Sequence, residues 1–473
     1  MTRNLVLALF LVLVATSGLF MALTLPPGEG NDETAHVLRA AAVLDGTIIG
    51  TRRVAPHAID GKPFVESGFD LSVTYLQAMQ YRPRTADGRV PPATAEARRV
   101  QETLGWSRER AFFEASNTAI YSPTLYLPAA LGIGLLHALG ATPEVAIKAG
   151  RIGNLLFYLL VGGAALVLAQ RGRLLLLVLL SLPMSIVSAS CIGQDGPIIA
   201  LTAFACAGLG RMVAQADWSL ACGLAVAALT LVIIAKPPYI VLAAAPWIAA
   251  VRWPRVRWAD ALVIAAPILL PVLWTAIAGH YASVPYTKPA YAPGPLWPIL
   301  NNAGSEVIFR GTDPGAQLKV LLAAPWLFFT LPITSIAAEF ASICREFVGV
   351  LSWRDLPLPG MLYPAWYATI VAGLVLGFVG PRTRLRPILV TLMLIGTVYA
   401  ICLAQYLTWT SVGDALIDGL QGRYFIPVVM LLPLAMPVQT ENPPRWATVW
   451  VLALLLLDGT ILERLIVTRF YLP

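Results

Sequence analysis

Two carboxylates and an imidazole, Asp32, Glu33 and His36, follow directly on an apolar run from Leu5 to Leu25. A run of that length crosses the hydrocarbon core of a bilayer as a helix. The three groups therefore stand where the chain first leaves the lipid, and ionisable groups at such a place are costly to hold and usually functional. If the stretch after Pro27 is helical, Asp32 and His36 lie four apart on one face, and Glu33 projects to a neighbouring one. A carboxylate so placed can take a proton from a hydroxyl as a general base. Asp32, Glu33 and His36 are thus the candidate catalytic set. The competing reading is a helix cap at Asn31 or Asp32 beside a solvated histidine. Asp and His could also hold a divalent metal, but two ligands are too few to imply one, so no cofactor is assigned.

Further polar residues interrupt apolar sequence elsewhere. Gln194-Asp195 precedes Gly196-Pro197, which also reads as a helix start. Lys236 stands before Pro237-Pro238-Tyr239 at a helix break, either snorkelling to the interface or serving a lipid-linked phosphate. Trp353 and Asp355 lie together at a helix end, where an aromatic belt would also put a tryptophan. In Gln421-Gly422-Arg423-Tyr424 the arginine offers a planar fork of donors that matches phosphate, and Gly422 permits close backbone approach. Phosphate binding is the favoured reading of Arg423. Asn117, Tyr121 and Tyr126 flank an apolar stretch that contains Pro123 and Pro128.

The elements that must position these residues are membrane helices. The chain of 473 residues is 58% hydrophobic and 12% charged, with a mean hydropathy of +0.72, where soluble domains carry about a quarter charged residues. Spanning-length apolar runs recur from end to end without strand-like alternation, which excludes a β-barrel. The fold class is all-α integral membrane, with roughly 11–13 transmembrane helices. Residues 1–25 form the first helix, 26–145 a long outer loop with interfacial helices, and 146–473 the multi-helix domain. The net charge of +7 does not indicate nucleic acid. Its arginines cluster in short connections at Arg171–Arg173, Arg252–Arg257 and Arg382–Arg386, as the positive-inside rule requires of cytoplasmic loops. If the segment 122–140 lies on the surface, the first two clusters fall inside. Asp32, Glu33, His36, Asn117, Tyr121, Asp195, Lys236, Gln421 and Arg423 then gather on the outer face. Trp353 and Asp355 join them if 319–356 is a hairpin. The five cysteines are scattered and imply neither disulfide nor zinc.

The motifs Asp32-Glu33-x-x-His36, Asn117-x-x-x-Tyr121-Ser122-Pro123-x-x-Tyr126-x-Pro128, Arg151-x-x-Asn154-Leu155, Lys236-Pro237-Pro238-Tyr239, Trp353-x-Asp355-x-Pro357-x-Pro359 and Gln421-Gly422-Arg423-Tyr424 resemble those of a large family of bacterial multi-pass membrane proteins. That family looks like a branch of the GT-C superfamily, polytopic glycosyltransferases that take a sugar from a polyprenyl-phosphate carrier at the outer face of the cytoplasmic membrane. Asp32-Glu33-Thr34 is similar to the aspartate-led motif of the lipid A aminoarabinose transferases, which points to Asp32 over Glu33 as the base. The resemblance implies a polyprenyl-phosphate-linked sugar as donor, a glycan or lipid as acceptor, and first-loop interfacial helices.

The competing class is a secondary transporter or lipid-linked sugar flippase, which intramembrane charges and proline-broken helices also fit. The two halves of the chain show no mutual similarity, and the polar residues gather on one face rather than at mid-membrane. A polymerase or ligase using a diphosphate-linked donor is a third reading.

Overall fold

A computed structural model describes residues 3–55, 65–80, 95–215, 219–251, 258–284, 312–380, 384–439 and 443–472. The Arg252–Arg257 cluster, Arg382 and three of the charged first-loop residues, Asp60, Arg82 and Arg84, lie outside the described residues. The chain is predominantly helical. The first helix, Arg3–Thr24, is predominantly apolar and ends before Pro26-Pro27, since proline cannot donate to a continuing helix.

Five helices are long and apolar enough to cross a membrane: Asn4–Thr24, Pro143–Leu168, Asp195–Val213, Asp260–Ala282 and Leu385–Thr408. Two broken pairs, Arg173–Leu180 with Pro183–Ser190 and Pro314–Ala323 with Leu327–Ala338, raise the number to seven if each is one crossing. Among the described residues the expected 11–13 spans thus become five to seven. Proline is the main reason. Pro183 opens the second half of the first pair after a bend of 57°, and the second pair turns by 108°. After the 16-residue helix Leu220–Ala235, Pro237-Pro238 forces a 3₁₀ segment over Pro237–Ala244. The apolar helix Leu127–Ala138 has 12 residues, roughly 18 Å at 1.5 Å per residue, too short to cross a core of about 30 Å.

The first loop also holds a sheet that an all-α reading did not include. Strands β1 (Thr51–Val54), β2 (Val65–Ser72) and β3 (Arg110–Glu114) pair antiparallel in the order β1-β2-β3. The register matches Thr51 with Gly68 and Gly68 with Glu114. Phe69 and Leu71 alternate onto one face, as a strand requires, and are buried in one cluster with Val37, Ala41, Tyr126, Ile133 and Ile147. The helix Glu33–Leu44 is therefore packed between this sheet and the helices Leu127–Ala138 and Pro143–Leu168. The larger core surrounds Arg173–Ser190 and Asp195–Gln215, where nearly every side chain is buried. The last helix, Arg445–Phe470, packs along the first, and its buried Asp458 accepts from Trp366 Nε1 at 2.6 Å.

Candidate active site at the end of the first helix

Asp32 stands at the N-cap position of Glu33–Leu44, yet its side chain makes no capping bond, and its backbone is left-handed at φ 56°. Aspartate is among the few residues that tolerate this region, and strain of this kind collects at functional sites. The carboxylate turns instead to Arg423, whose Nη2 donates to Asp32 Oδ2. Arg423 Nε faces Asp195 Oδ2 at 3.0 Å. The Asn31 amide, oriented to satisfy both ends, accepts from Arg423 Nη1 at 2.9 Å and donates to the Ser352 carbonyl. Asp195 is the first residue of Asp195–Gln215, and its other oxygen is held by Lys236 Nζ. Lys236 in turn sits over the Tyr424 ring, 4.4 Å from its centroid. Two acids and two cations, brought from segments far apart in the chain, thus form one cluster of balanced charge.

Adjacent to it, His36 Nδ1 is 2.6 Å from the Tyr126 hydroxyl, and the His36 ring stacks toward Tyr121 at 6.3 Å. Desolvation among these rings holds the imidazole down to about 4, although Asp32 and Asp195 pull the other way. His36 is therefore neutral at neutral pH. Burial likewise pushes the Tyr121 phenol up, reinforced by the field of Tyr424, Asp195 and Asp32. Both rings line the cluster as neutral hydrogen-bonding groups.

Glu33 is placed differently from Asp32. It is wholly buried, with Arg151 Nε donating to Oε1 at 2.7 Å and Nη2 to Oε2 at 2.5 Å. The backbone N–H of Ile192 donates to Oε1 at 2.9 Å, and those of Gly28 and Gly30 to Oε2 at 3.1 Å. Burial works against the charged form, but Arg151 and these N–H groups outweigh it and hold the carboxyl below its ordinary range. With both oxygens engaged and no exposure, Glu33 cannot meet an acceptor. The physical reason is local: Asp32 precedes the helix on a left-handed backbone that leaves its carboxylate on the open side against Arg423, whereas Glu33 is the first helical residue and points into the bundle.

The remaining sequence-derived candidates divide between cluster and rim. Trp353 donates from Nε1 to the Gly28 carbonyl at 3.1 Å and covers the loop before Asp32. Asp355 is turned away, paired with Arg469 at 3.4 Å. Asn117 is exposed on the turn after β3 and has no hydrogen-bond partner among the described residues. Gln421 accompanies Arg423, its Oε1 buried without a partner in the described residues. Gln194, beside Asp195, is buried with neither amide atom bonded there.

Several positioning residues were not among the sequence-derived candidates. Buried Arg39 donates to the carbonyls of Tyr121, Thr47 and Ile48 and so holds the turn that carries Tyr121. Tyr239 donates its hydroxyl to the Tyr424 carbonyl at 2.9 Å. Glu346 accepts from the Gly422 N–H at 2.9 Å and from Arg354 Nε at 2.6 Å, clamping the turn before Arg423. The only sequence signal for Arg39 and Glu346 was a charge inside an otherwise apolar helical pattern.

Gly422 lies so close to the backbone of Phe340–Val348 that an added Cβ would collide with the Ile343 carbonyl and the Phe347 nitrogen. Neither neighbour is a flexible side-chain end, so Gly422→Ala must shift the turn. Overpacking of this kind costs about 1–3 kcal/mol. The expected outcome is a folded but less heat-stable protein, because the turn that carries Arg423 must move. An unchanged thermal midpoint in Gly422→Ala would show that the turn absorbs the added Cβ without strain.

Among the described residues no group of three or more His, Cys, Asp or Glu converges as metal ligands. No curated protein and no solved structure matches the chain. A family model described as "Predicted membrane protein (DUF2142)" matches residues 15–432, and this multi-pass membrane protein belongs to that family.

Proposed function

We propose that the protein is a glycosyltransferase that moves a sugar from a polyprenyl-phosphate carrier to a glycan or lipid acceptor at the outer face of a bacterial cytoplasmic membrane, with the N-terminus inside. The observation that carries this reading is the single cluster of Asp32, Asp195, Lys236 and Arg423 at the end of the first helix. Sugar transfer from a lipid phosphate needs a base for the acceptor hydroxyl and cations for the departing phosphate. Asp32, with 39% of its side chain exposed, is the group an acceptor can reach, and Arg423 and Lys236 are the cations. An apolar crevice of about 590 Å³, lined by Ile240, Val241, Ala244, Trp247, Ile268 and Leu389, begins one residue past Tyr239. Its apolar lining suits part of a prenyl chain whose phosphate lies at Lys236.

The expected sidedness rests on the arginines. Arg171 follows the helix Pro143–Leu168, whose outer third carries Arg151. Seventeen residues of helix rise separate Arg151 from the helix end at Leu168, roughly 26 Å, and Arg171 and Arg386 are electrostatic neighbours. Two of the three clusters thus share the end opposite to the charged site, the arrangement of a positive inner face.

The test is chemical analysis of envelope glycans and lipid-linked sugars in a strain lacking the protein. Loss of one glycan decoration, with its lipid-linked sugar accumulating at the outer leaflet, is the expected result. Accumulation at the inner leaflet instead would replace this reading with a flippase.

A further inference from the structure

Arg423 has no open edge. It is 5% exposed, with Nη2 on Asp32, Nη1 on Asn31 at 2.9 Å and Nε facing Asp195. A phosphate can engage this guanidinium only by displacing one of these partners, and the three are not equally held. Asp195 is shared with Lys236, its side chain 21% exposed. The Asn31 amide is tied at its other end to the Ser352 carbonyl. Asp32 is the most exposed of the two acids, lies on a left-handed backbone, and makes no capping bond to its own helix.

We propose that the donor phosphate takes Arg423 from Asp32, so that donor binding itself releases the carboxylate that acts on the acceptor. This rests on the glycosyltransferase reading and adds the order of events. Without donor, Asp32 is latched to Arg423, and the position of its carboxylate is set by the guanidinium rather than by an acceptor. With donor, the phosphate oxygens satisfy Arg423 and Lys236 while Asp195 stays between them. The freed Asp32 then removes the proton of the acceptor hydroxyl. The acceptor oxygen forms its bond to the anomeric carbon, the bond from that carbon to the phosphate oxygen breaks, and its electron pair leaves with the polyprenyl phosphate. Protonated Asp32 carries no charge to reclaim Arg423, so the product phosphate stays until that proton passes to water. The returning carboxylate then expels it.

The experiment is binding of geranylgeranyl phosphate to the purified full-length protein in lipid nanodiscs. A competing carboxylate weakens a phosphate site, so removing its charge must tighten it. Asp32→Asn and Asp32→Ala are expected to bind about tenfold tighter or more than wild type, on the scale of a lost charge-assisted hydrogen bond. In an Arg423→Ala background the same Asp32 substitutions should give no gain. Asparagine can still accept from a guanidinium, so Asp32→Ala is the sharper of the two variants; the elution profile and thermal midpoint of each show that it is folded. Wild-type binding that is unchanged or weakened in both folded Asp32 variants overturns the latch and leaves the phosphate site standing. Absence of binding in wild type and all variants removes the phosphate site, and with it the latch.

Discussion

Under the proposed glycosyltransferase activity, asparagine in place of Asp32 is expected to lower sugar transfer by at least a hundredfold, the usual scale for a positioned general base. The substitution preserves volume and one hydrogen-bonding oxygen but removes the ability to take a proton. Asp32 is partly exposed, caps nothing and contributes no core packing, so the variant should fold and reach the membrane as wild type does. The measurement is restoration of the missing glycan in a deletion strain expressing Asp32→Asn at wild-type level. Paired with the tighter phosphate binding expected of the same variant, it separates chemistry from affinity. A deletion strain restored at the wild-type rate would exclude Asp32 as base.

The largest effect on stability is expected one residue later. Arg151 reaches both oxygens of Glu33 and also the carbonyls of Ala22, Leu25 and Pro26. It thereby joins the end of the first helix, the following loop and the helix Pro143–Leu168 in a site without solvent. Removing one partner of a buried ion pair leaves the other charge unmatched and costs about 3–5 kcal/mol. Arg151→Ala should therefore unfold at much lower temperature in detergent and accumulate poorly. Arg151→Lys keeps the charge but loses the fork and should fall between. Glu33→Gln, which strands the guanidinium, should resemble Arg151→Ala in stability. An Arg151→Ala protein with the wild-type thermal midpoint would show that this buried pair does not hold the loop in place. The two neighbouring acids are thus expected to fail in opposite ways, Asp32 by losing turnover in a sound fold and Glu33 by losing the fold.

The sequence by itself determined what local chemistry controls. The length of the apolar run before Pro26-Pro27 set the first helix, and the prolines at 237 and 238 mark where a helix breaks. The residue types at Asp32, Asp195, Lys236 and Arg423 marked them as ionisable groups at helix ends. The number of crossings was not legible, because an apolar run reads the same whether it continues straight or turns at a proline. The small sheet was missed because Phe69 and Leu71 are the short apolar alternation of one strand within a charged loop, and only their packing against Glu33–Leu44 reveals it.

The tertiary structure alone decided the partners. Asp32 and Arg423 are 391 residues apart in the chain, and nothing in either motif names the other. The sequence preferred Asp32 to Glu33 as the base, but only the turn before the helix and its packing against the bundle send one to the open cluster and the other to Arg151. Arg39 and Glu346 carry no motif that separates them from other buried polar groups, and Tyr239 closes the lysine motif without naming its partner. Their work is to bind backbone carbonyls and N–H groups of distant turns. A buried charge must find its counterpart wherever the chain returns, and where it returns is set by the packing of whole helices.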